Sequence, residues 1–129
     1  MLRRIFITAA AAGAATLTLV PGSVSAQERD MTAAEIKEML SGNTIRGEWN
    51  GSAYTQYYAP DGATVYVPEG GKPDKGKWRV NPETDEYESW WRRTGWTPYA
   101  VVETADGPAW VDGGDRWGFK VMDGKQLPD

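Results

Sequence analysis

The chain has 129 residues, a formal net charge of −4, and neither cysteine nor histidine. These absences exclude a disulfide, a cysteine nucleophile, a histidine general base and an ordinary zinc, copper or haem site. The acidic balance also argues against nucleic acid or an anionic membrane surface as a partner.

The first 26 residues have the composition of an export signal. Arg3 and Arg4 form a short positive region, residues 5–20 are uncharged and rich in alanine, and a small-x-small pattern ends at Ala26. The arginine pair followed by Ile5 and Phe6 also resembles the core of a twin-arginine signal, so both the Sec and the twin-arginine route stay open.

Cleavage after Ala26 leaves 103 residues, and the loss of two arginines lowers the formal charge from −4 to −6. The apolar run is too short and too rich in small residues for a membrane span, which needs about 20 strongly apolar residues. No cysteine follows it for a lipid anchor. We therefore expect a periplasmic or secreted protein with no stable membrane insertion.

A flexible segment is predicted at residues 27–31, followed by one small β domain at residues 32–129. The domain opens with a helix, for which Thr32 is the expected N-cap and Glu35, three residues on, completes a capping box. Met31 and Ile36 occupy the hydrophobic-staple positions, and Gly42 suits the left-handed residue that ends the helix.

After the helix, short β-like runs alternate with turn signals. Asn50-Gly51 has the sequence of a type I′ hairpin turn. Eight strands are predicted, at residues 44–49, 52–59, 63–67, 76–80, 87–93, 99–104, 109–112 and 116–122. The fold class is mainly β, an antiparallel meander closed as a barrel or sandwich, with a single open sheet as the alternative.

The tryptophan-rich strand at residues 87–93 holds the first candidate site. Alternation predicts two faces for this strand. One face carries Tyr87, Ser89, Trp91 and Arg93, and the other carries Glu88, Trp90 and Arg92. Trp91 is predicted to be buried, whereas Trp90 with Arg92 is the predicted ligand platform, exposed or lining a cavity. The alternative is that both indoles fill a core that lacks disulfides.

Tyr54 and Tyr58, which share one face of the strand at residues 52–59, complete the predicted ligand-binding set. Rows of tyrosine are also common on solvated sheet faces, because tyrosine has a high β propensity. A carbohydrate or protein contact is the use we expect for them.

Glu48 and Glu88 are the candidates for a pair of catalytic carboxylates. Glu48 and Glu88 lie in mid-strand among aromatic residues, and a glycosidase needs two carboxylates that face each other across a cleft. A solvated surface position is the alternative for both. Residues 81–86 offer alternating oxygen atoms but lack the glycine and the distal glutamate of a calcium loop. No catalytic residue, metal site or cofactor is predicted.

Four segments carry a family resemblance: Leu40-Ser41-Gly42-Asn43-Thr44, Tyr57-Tyr58-Ala59-Pro60-Asp61-Gly62, Gly76-Lys77-Trp78-Arg79-Val80 and Trp90-Trp91. In this order they resemble a domain-of-unknown-function family of small exported proteobacterial proteins. Members of that family tend to carry a cysteine on each side of the tryptophan-rich turn, where this chain has Glu88-Ser89 and Thr97-Pro98. The resemblance implies export and one lost disulfide, and it brings no activity with it.

The sequence thus predicts an exported, non-enzymatic β domain that binds a ligand or partner, such as a glycan or an envelope protein. The first alternative is a small hydrolase of envelope polysaccharide that uses Glu48 and Glu88. The second is a structural or inhibitor-like module that docks another protein through its tyrosine and tryptophan faces.

Overall fold

A computed structural model describes residues 28–128 of the chain. The predicted signal peptide lies outside the described residues. Within them, no helix combines the length and the apolar character needed to span a bilayer. The elements are α1 (Ala33–Leu40), β1 (Arg29–Asp30), β2 (Thr44–Trp49), β3 (Ser52–Tyr58), β4 (Ala63–Pro68), β5 (Asp74–Asn81), β6 (Glu86–Trp91), β7 (Gly95–Tyr99), β8 (Val101–Thr104), β9 (Gly107–Asp112) and β10 (Asp115–Met122).

All ten strands form one antiparallel sheet in the order β1-β8-β9-β10-β2-β3-β4-β5-β6-β7. Strand β7 lies at one end of this order and β8 lies near the other, yet Ala100 alone separates them in the chain. The sheet must therefore curl until its two flanks approach each other, giving a half-barrel. A hydrogen bond of 3.0 Å from the Val111 N–H to the Ala100 carbonyl holds this corner.

The predicted fold class is confirmed, and the strand count differs for two reasons. The run predicted as one strand at residues 99–104 is interrupted at Ala100: Tyr99 ends β7, whose residues 95–98 were not predicted as strand, and residues 101–104 form β8, which pairs with a different neighbour. Arg29 and Asp30, predicted to be flexible, instead pair with β8 as a short edge strand. Ala100 and its direct neighbours are neither Gly nor Pro, although Pro98 lies two residues earlier, so no turn residue marks the bend itself.

The structure confirms the predicted hairpin turn at Asn50-Gly51 and the predicted N-terminal cap of α1. Asn50 and Gly51 both have positive φ, 51° and 88°, as a type I′ turn requires, and Trp49 pairs directly with Ser52. At the start of α1, the Thr32 hydroxyl accepts from the Glu35 N–H while the Glu35 carboxylate accepts from the Thr32 N–H, at 3.2 and 2.9 Å. The predicted capping box is therefore confirmed.

The helix covers part of the inner face of the sheet. Ile36 and Leu40 are fully buried, and α1 contacts β5 and β6. Burying two such side chains stabilises the fold by roughly 1.5–3 kcal/mol each. A further contact joins the helix to the sheet, because the Asp85 carboxylate in the β5–β6 turn accepts a 2.8 Å hydrogen bond from the Ala33 N–H.

Large aromatic residues dominate the core on the concave side of the sheet. Trp110 on β9 stacks on Phe119 of β10, with ring centroids 4.7 Å apart. Tyr58 is fully buried and meets Trp78 and Tyr87 edge to face. These inward rings fill one part of the half-barrel and leave a cavity beside them.

Candidate ligand-binding site

An open cavity of about 260 Å³ lies on the concave side of the half-barrel. Seven of its ten lining residues are aromatic, and they come from six different strands. We call this cavity the aromatic cup, defined by Trp49, Tyr54, Gln56, Tyr66, Asp74, Tyr87, Ser89, Trp91, Tyr99 and Trp110.

Strand alternation explains which side chains reach the cup. Along β6, Tyr87, Ser89 and Trp91 point inward and line it, whereas Glu88 and Trp90 belong to the outer face. The predicted division of this strand into two faces is therefore observed, but Trp91, predicted to be buried, is only half-buried because its ring borders the open cavity. The ring that lines the cavity is Trp91, and Trp90 lies on the opposite side of the sheet.

Gly76 on β5 makes the position of Trp91 possible. A Cβ atom at Gly76 would come within 2.7 Å of the Trp91 ring and still closer to the Trp90 carbonyl oxygen. Real Cβ atoms do not approach so closely, so only glycine lets the indole lie against the β5 backbone. From the sequence, Gly76 is predicted only as the first residue of a strand, at residues 76–80.

The rings of the cup brace one another. Edge-to-face and stacked contacts hold aromatic side chains in fixed orientations. The centroid distances are 5.3 Å for Tyr54–Tyr66, 6.0 Å for Tyr66–Trp91, 5.1 Å for Trp49–Tyr99 and 4.6 Å for Tyr87–Trp110. The cup is thus a preformed site, which lowers the cost of ordering its walls when a ligand enters.

Three polar side chains of the cup are hydrogen-bonded to other protein groups. The Trp110 indole N–H donates to the Tyr54 hydroxyl at 2.9 Å, and the Trp91 indole N–H donates to the Ser89 hydroxyl at 3.1 Å. The Gln56 amide donates to the Thr64 hydroxyl, also at 2.9 Å. A ligand therefore meets mainly ring faces.

The phenols of the cup are neutral groups. Burial raises the pKa of Tyr54, of Tyr66 and of Tyr87. The pKa of Tyr99 is raised by burial and, to a smaller extent, by the negative charge of Asp112. Because all four shifts are upward, these tyrosines stay protonated at neutral pH.

Of the ten residues that define the cup, Asp74 is the one with a charge, and it is exposed at the first position of β5. A second carboxylate, that of Asp112, lies behind the wall, where it accepts a 3.1 Å hydrogen bond from the Trp117 indole N–H. The Trp117 ring in turn packs on Trp49, with centroids 5.9 Å apart. The one charged group that lines the cup and the one that lies behind its wall are therefore both carboxylates.

The structure does not gather the four predicted ligand-binding residues into one site. Tyr54 lines the cup, whereas Tyr58 shares its face but is fully buried beneath it. Arg92 is exposed in the turn after β6, in a groove of about 680 Å³ that also contains Trp90. Trp90 itself lies under the Lys77 ammonium, whose Nζ is 5.0 Å from the ring centroid.

The outer face of β5, β6 and β7 carries a second set of aromatic contacts. The Arg79 guanidinium lies 3.7 Å above the Trp96 ring and is 2.6 Å from the Glu88 carboxylate. Trp96 pairs with Trp90 across the β6–β7 hairpin and is 38% exposed. Cations therefore already cover both outer indoles.

The two acids considered as a catalytic pair do not meet. Glu48 on β2 and Glu88 on β6 both lie on the outer face, with β3, β4 and β5 between them. The hydrogen bond from Arg79 holds the pKa of Glu88 below its ordinary value, opposite to what a general acid needs. These positions do not form the facing carboxylates of a glycosidase.

The segment considered for calcium uses its oxygen atoms internally. The Asn81 side-chain oxygen accepts from the Glu83 N–H at 2.9 Å, which shapes the turn. The Asp85 carboxylate caps α1 through Ala33, as described above. Both groups thus have structural partners.

Comparison with known proteins leaves the family open. No family model matches the chain, and neither the curated proteins nor the solved structures show a match to it. The resemblance to the exported domain-of-unknown-function family stays a prediction, and the functional assignment depends on the aromatic cup.

Proposed function

We propose that this protein is an exported, non-enzymatic binding domain that takes a small ligand into the aromatic cup. The observation that carries the proposal is the cup itself, a concave, preformed cavity whose walls are ring faces from six strands. Apart from Asp74, its residues are aromatic or hydrogen-bonded to the protein, and they do not pair a nucleophile with a base. Such a site favours binding over turnover.

The size of the cup limits the ligand. Its volume of about 260 Å³ is below the range of about 300–1,000 Å³ that is typical of pockets for drug-sized molecules. The ligand is therefore a small molecule or the terminal group of a larger one. Binding in the periplasm, or outside the cell after release, fits the signal-like composition of the first 26 residues.

One observation favours a second function, the docking of another protein. Trp96 is 38% exposed on edge strand β7 and adjoins Trp90, and tryptophan and arginine are enriched where proteins bind each other. In this second reading the outer face of β5 to β7 is the binding surface.

A matched pair of variants separates the two functions. Trp91→Leu removes a wall of the cup, and Trp90→Leu removes the neighbouring indole on the outer face. The chain lacking residues 1–26 is titrated with choline, cyclohexanol and methyl glucoside, and binding is followed by tryptophan fluorescence and calorimetry. We expect saturable binding of at least one probe, weakened about tenfold or more by Trp91→Leu, which equals about 1.4 kcal/mol.

Trp90→Leu serves as the control and should change the affinity by less than about twofold, since it lies outside the cup. Circular dichroism verifies that both variants fold. Absence of binding by all three probes, or binding that depends on Trp90 and not on Trp91, would remove the cup as the functional site.

A further inference from the structure

The walls of the aromatic cup suit a positive charge. A cation within about 6 Å of a tryptophan or tyrosine ring centroid is attracted by the negative face of the ring, and the attraction grows when water is excluded. Seven rings line the cup, and none of the ten residues that define it is basic. A cation in the cup would therefore meet several ring faces and no like charge.

The acidic groups around the cup add to this attraction. Asp74 lies at its mouth and takes part in none of the ion pairs found among residues 28–128, so its carboxylate is free to face a ligand. Asp112 is near enough to Tyr99 for its charge to act on that phenol. Both carboxylates lower the energy of a cation placed between the rings.

Hydrogen bonding distinguishes a methylated cation from other small ligands. Sugar hydroxyls and primary ammonium groups need several hydrogen-bond partners, and a site without them leaves those groups unpaired. In the cup, the hydroxyls of Tyr54 and Ser89 already accept from indole N–H groups and the amide nitrogen of Gln56 already donates to Thr64, so these three groups offer a ligand fewer hydrogen bonds than free groups would. A methylated ammonium needs no such partners, and its size suits a cavity of about 260 Å³.

Basic side chains are present nearby but outside the cup. Lys75, Arg92 and Arg93 line the adjoining groove, which shares Asp74 and Trp91 with the cup. All three basic residues are exposed. Solvent and salt weaken these exposed charges, as they weaken the exposed charge of Asp74, so neither sign dominates at the rim. Selection among ligands therefore depends on the group that enters between the rings.

We infer, building on the proposed function, that the group bound in the aromatic cup is a quaternary or methylated ammonium cation. The rings of Trp49, Tyr66, Trp91 and Tyr99 supply the cage, and Asp74 supplies the countercharge at the mouth.

The decisive comparison uses two molecules of the same shape. Choline carries a trimethylammonium group, and 3,3-dimethylbutan-1-ol carries a neutral tert-butyl group in its place. Calorimetric titration of the chain lacking residues 1–26 should show choline binding at least about tenfold more tightly, because only choline gains from the ring faces.

Asp74→Asn tests the countercharge. This variant should weaken choline severalfold and leave the affinity for the neutral alcohol unchanged. Asp106→Asn, at an exposed turn position outside the cup, is the matched control and should affect neither molecule. On adding choline, the indole N–H resonances of Trp49 and Trp91 should shift in nuclear magnetic resonance spectra, while that of Trp90 should not.

The outcomes separate this inference from the function on which it rests. Two outcomes would overturn the ammonium assignment: choline and the alcohol bind equally, or methyl glucoside alone binds. If Trp91→Leu weakens the observed binding in either case, the cup remains the binding site. Absence of binding by choline, the alcohol, cyclohexanol and methyl glucoside overturns both.

Discussion

The hydroxyl of Tyr54 links two aromatic residues that are 56 positions apart in the chain. It accepts a hydrogen bond of 2.9 Å from the Trp110 indole N–H, and both side chains are buried. A buried donor that loses its acceptor costs more than an ordinary hydrogen bond contributes, because its desolvation is no longer compensated. This bond thus orients one wall of the aromatic cup and stabilises the fold.

Replacing Tyr54 with phenylalanine tests this bond. Tyr54→Phe keeps the ring but leaves the Trp110 N–H without its partner, so the free energy of unfolding should fall by about 1–3 kcal/mol. Urea denaturation followed by fluorescence measures the change. Tyr66→Phe is the control, since Tyr66 stacks on Tyr54 and is only half-buried, and a loss as large in that variant would contradict the explanation.

Helix α1 shows how one element depends on local and distant contacts together. Thr32 and Glu35 cap it from within its own sequence, and Asp85 caps it from the β5–β6 turn. Asp85 has a φ of 58°, a left-handed conformation that aspartate and asparagine tolerate better than most residues. The turn therefore positions an acceptor at the helix N-terminus and places α1 on the sheet.

Two substitutions at Asp85 separate its roles. Asp85→Ala removes the acceptor and strains the turn, so we expect a loss of stability of about 1–2 kcal/mol. Asp85→Asn keeps a side-chain oxygen and the backbone preference, and should lose clearly less. Thermal and urea unfolding measure both, and an equal loss in the two variants would show that the charge, rather than the cap, is what matters.

At the scale of the whole molecule, the packing of aromatic residues stabilises the fold without any disulfide. The chain has no cysteine, and its sheet is held in its curl by inward rings from strands distant in sequence. Tyr58 and Tyr87 lie at the centre of this packing, with ring centroids 5.8 Å apart. Burial raises the pKa of both phenols above the ordinary value of 10.0.

The burial of the Tyr58 and Tyr87 phenols predicts how the free energy of unfolding depends on pH. In the unfolded chain the phenols lose their protons near pH 10, whereas the folded state retains them. The stabilisation is thus fully present below pH 10 and is lost as the pH rises above it, by up to about 1.4 kcal/mol per pH unit for each buried phenol.

Urea unfolding at pH 7, 9.5, 10.5 and 11 measures this slope. Tyrosinate absorbance from the buried phenols should appear together with unfolding. Tyr58→Phe has one buried phenol fewer and should show a shallower fall. A free energy of unfolding that stays flat from pH 9.5 to 11 would contradict the assignment.

The candidate site was predicted less completely than the fold. Alternation along β6 divided Trp90 from Trp91 correctly, and it placed Tyr54 and Tyr58 on one face. It could not show which face of β6 encloses open space, because that depends on the curl of the whole sheet. The sequence therefore did not identify Trp91, Tyr66 and Tyr99 as cup residues. It did not identify Gly76 either, because the absence of a side chain at Gly76 matters only through the Trp91 ring on the next strand.

By itself, the sequence determined the local structure of this protein: the capped helix, the Asn50-Gly51 turn, the mainly β class and the faces of its strands. These follow from side chains that act within a few residues of one another. Only the tertiary structure decided the bend at Ala100, the pairing of β10 with β2, the separation of Glu48 from Glu88 and the aromatic cup. The physical reason is that sheet closure depends on the summed twist and packing of ten strands, which no local pattern contains.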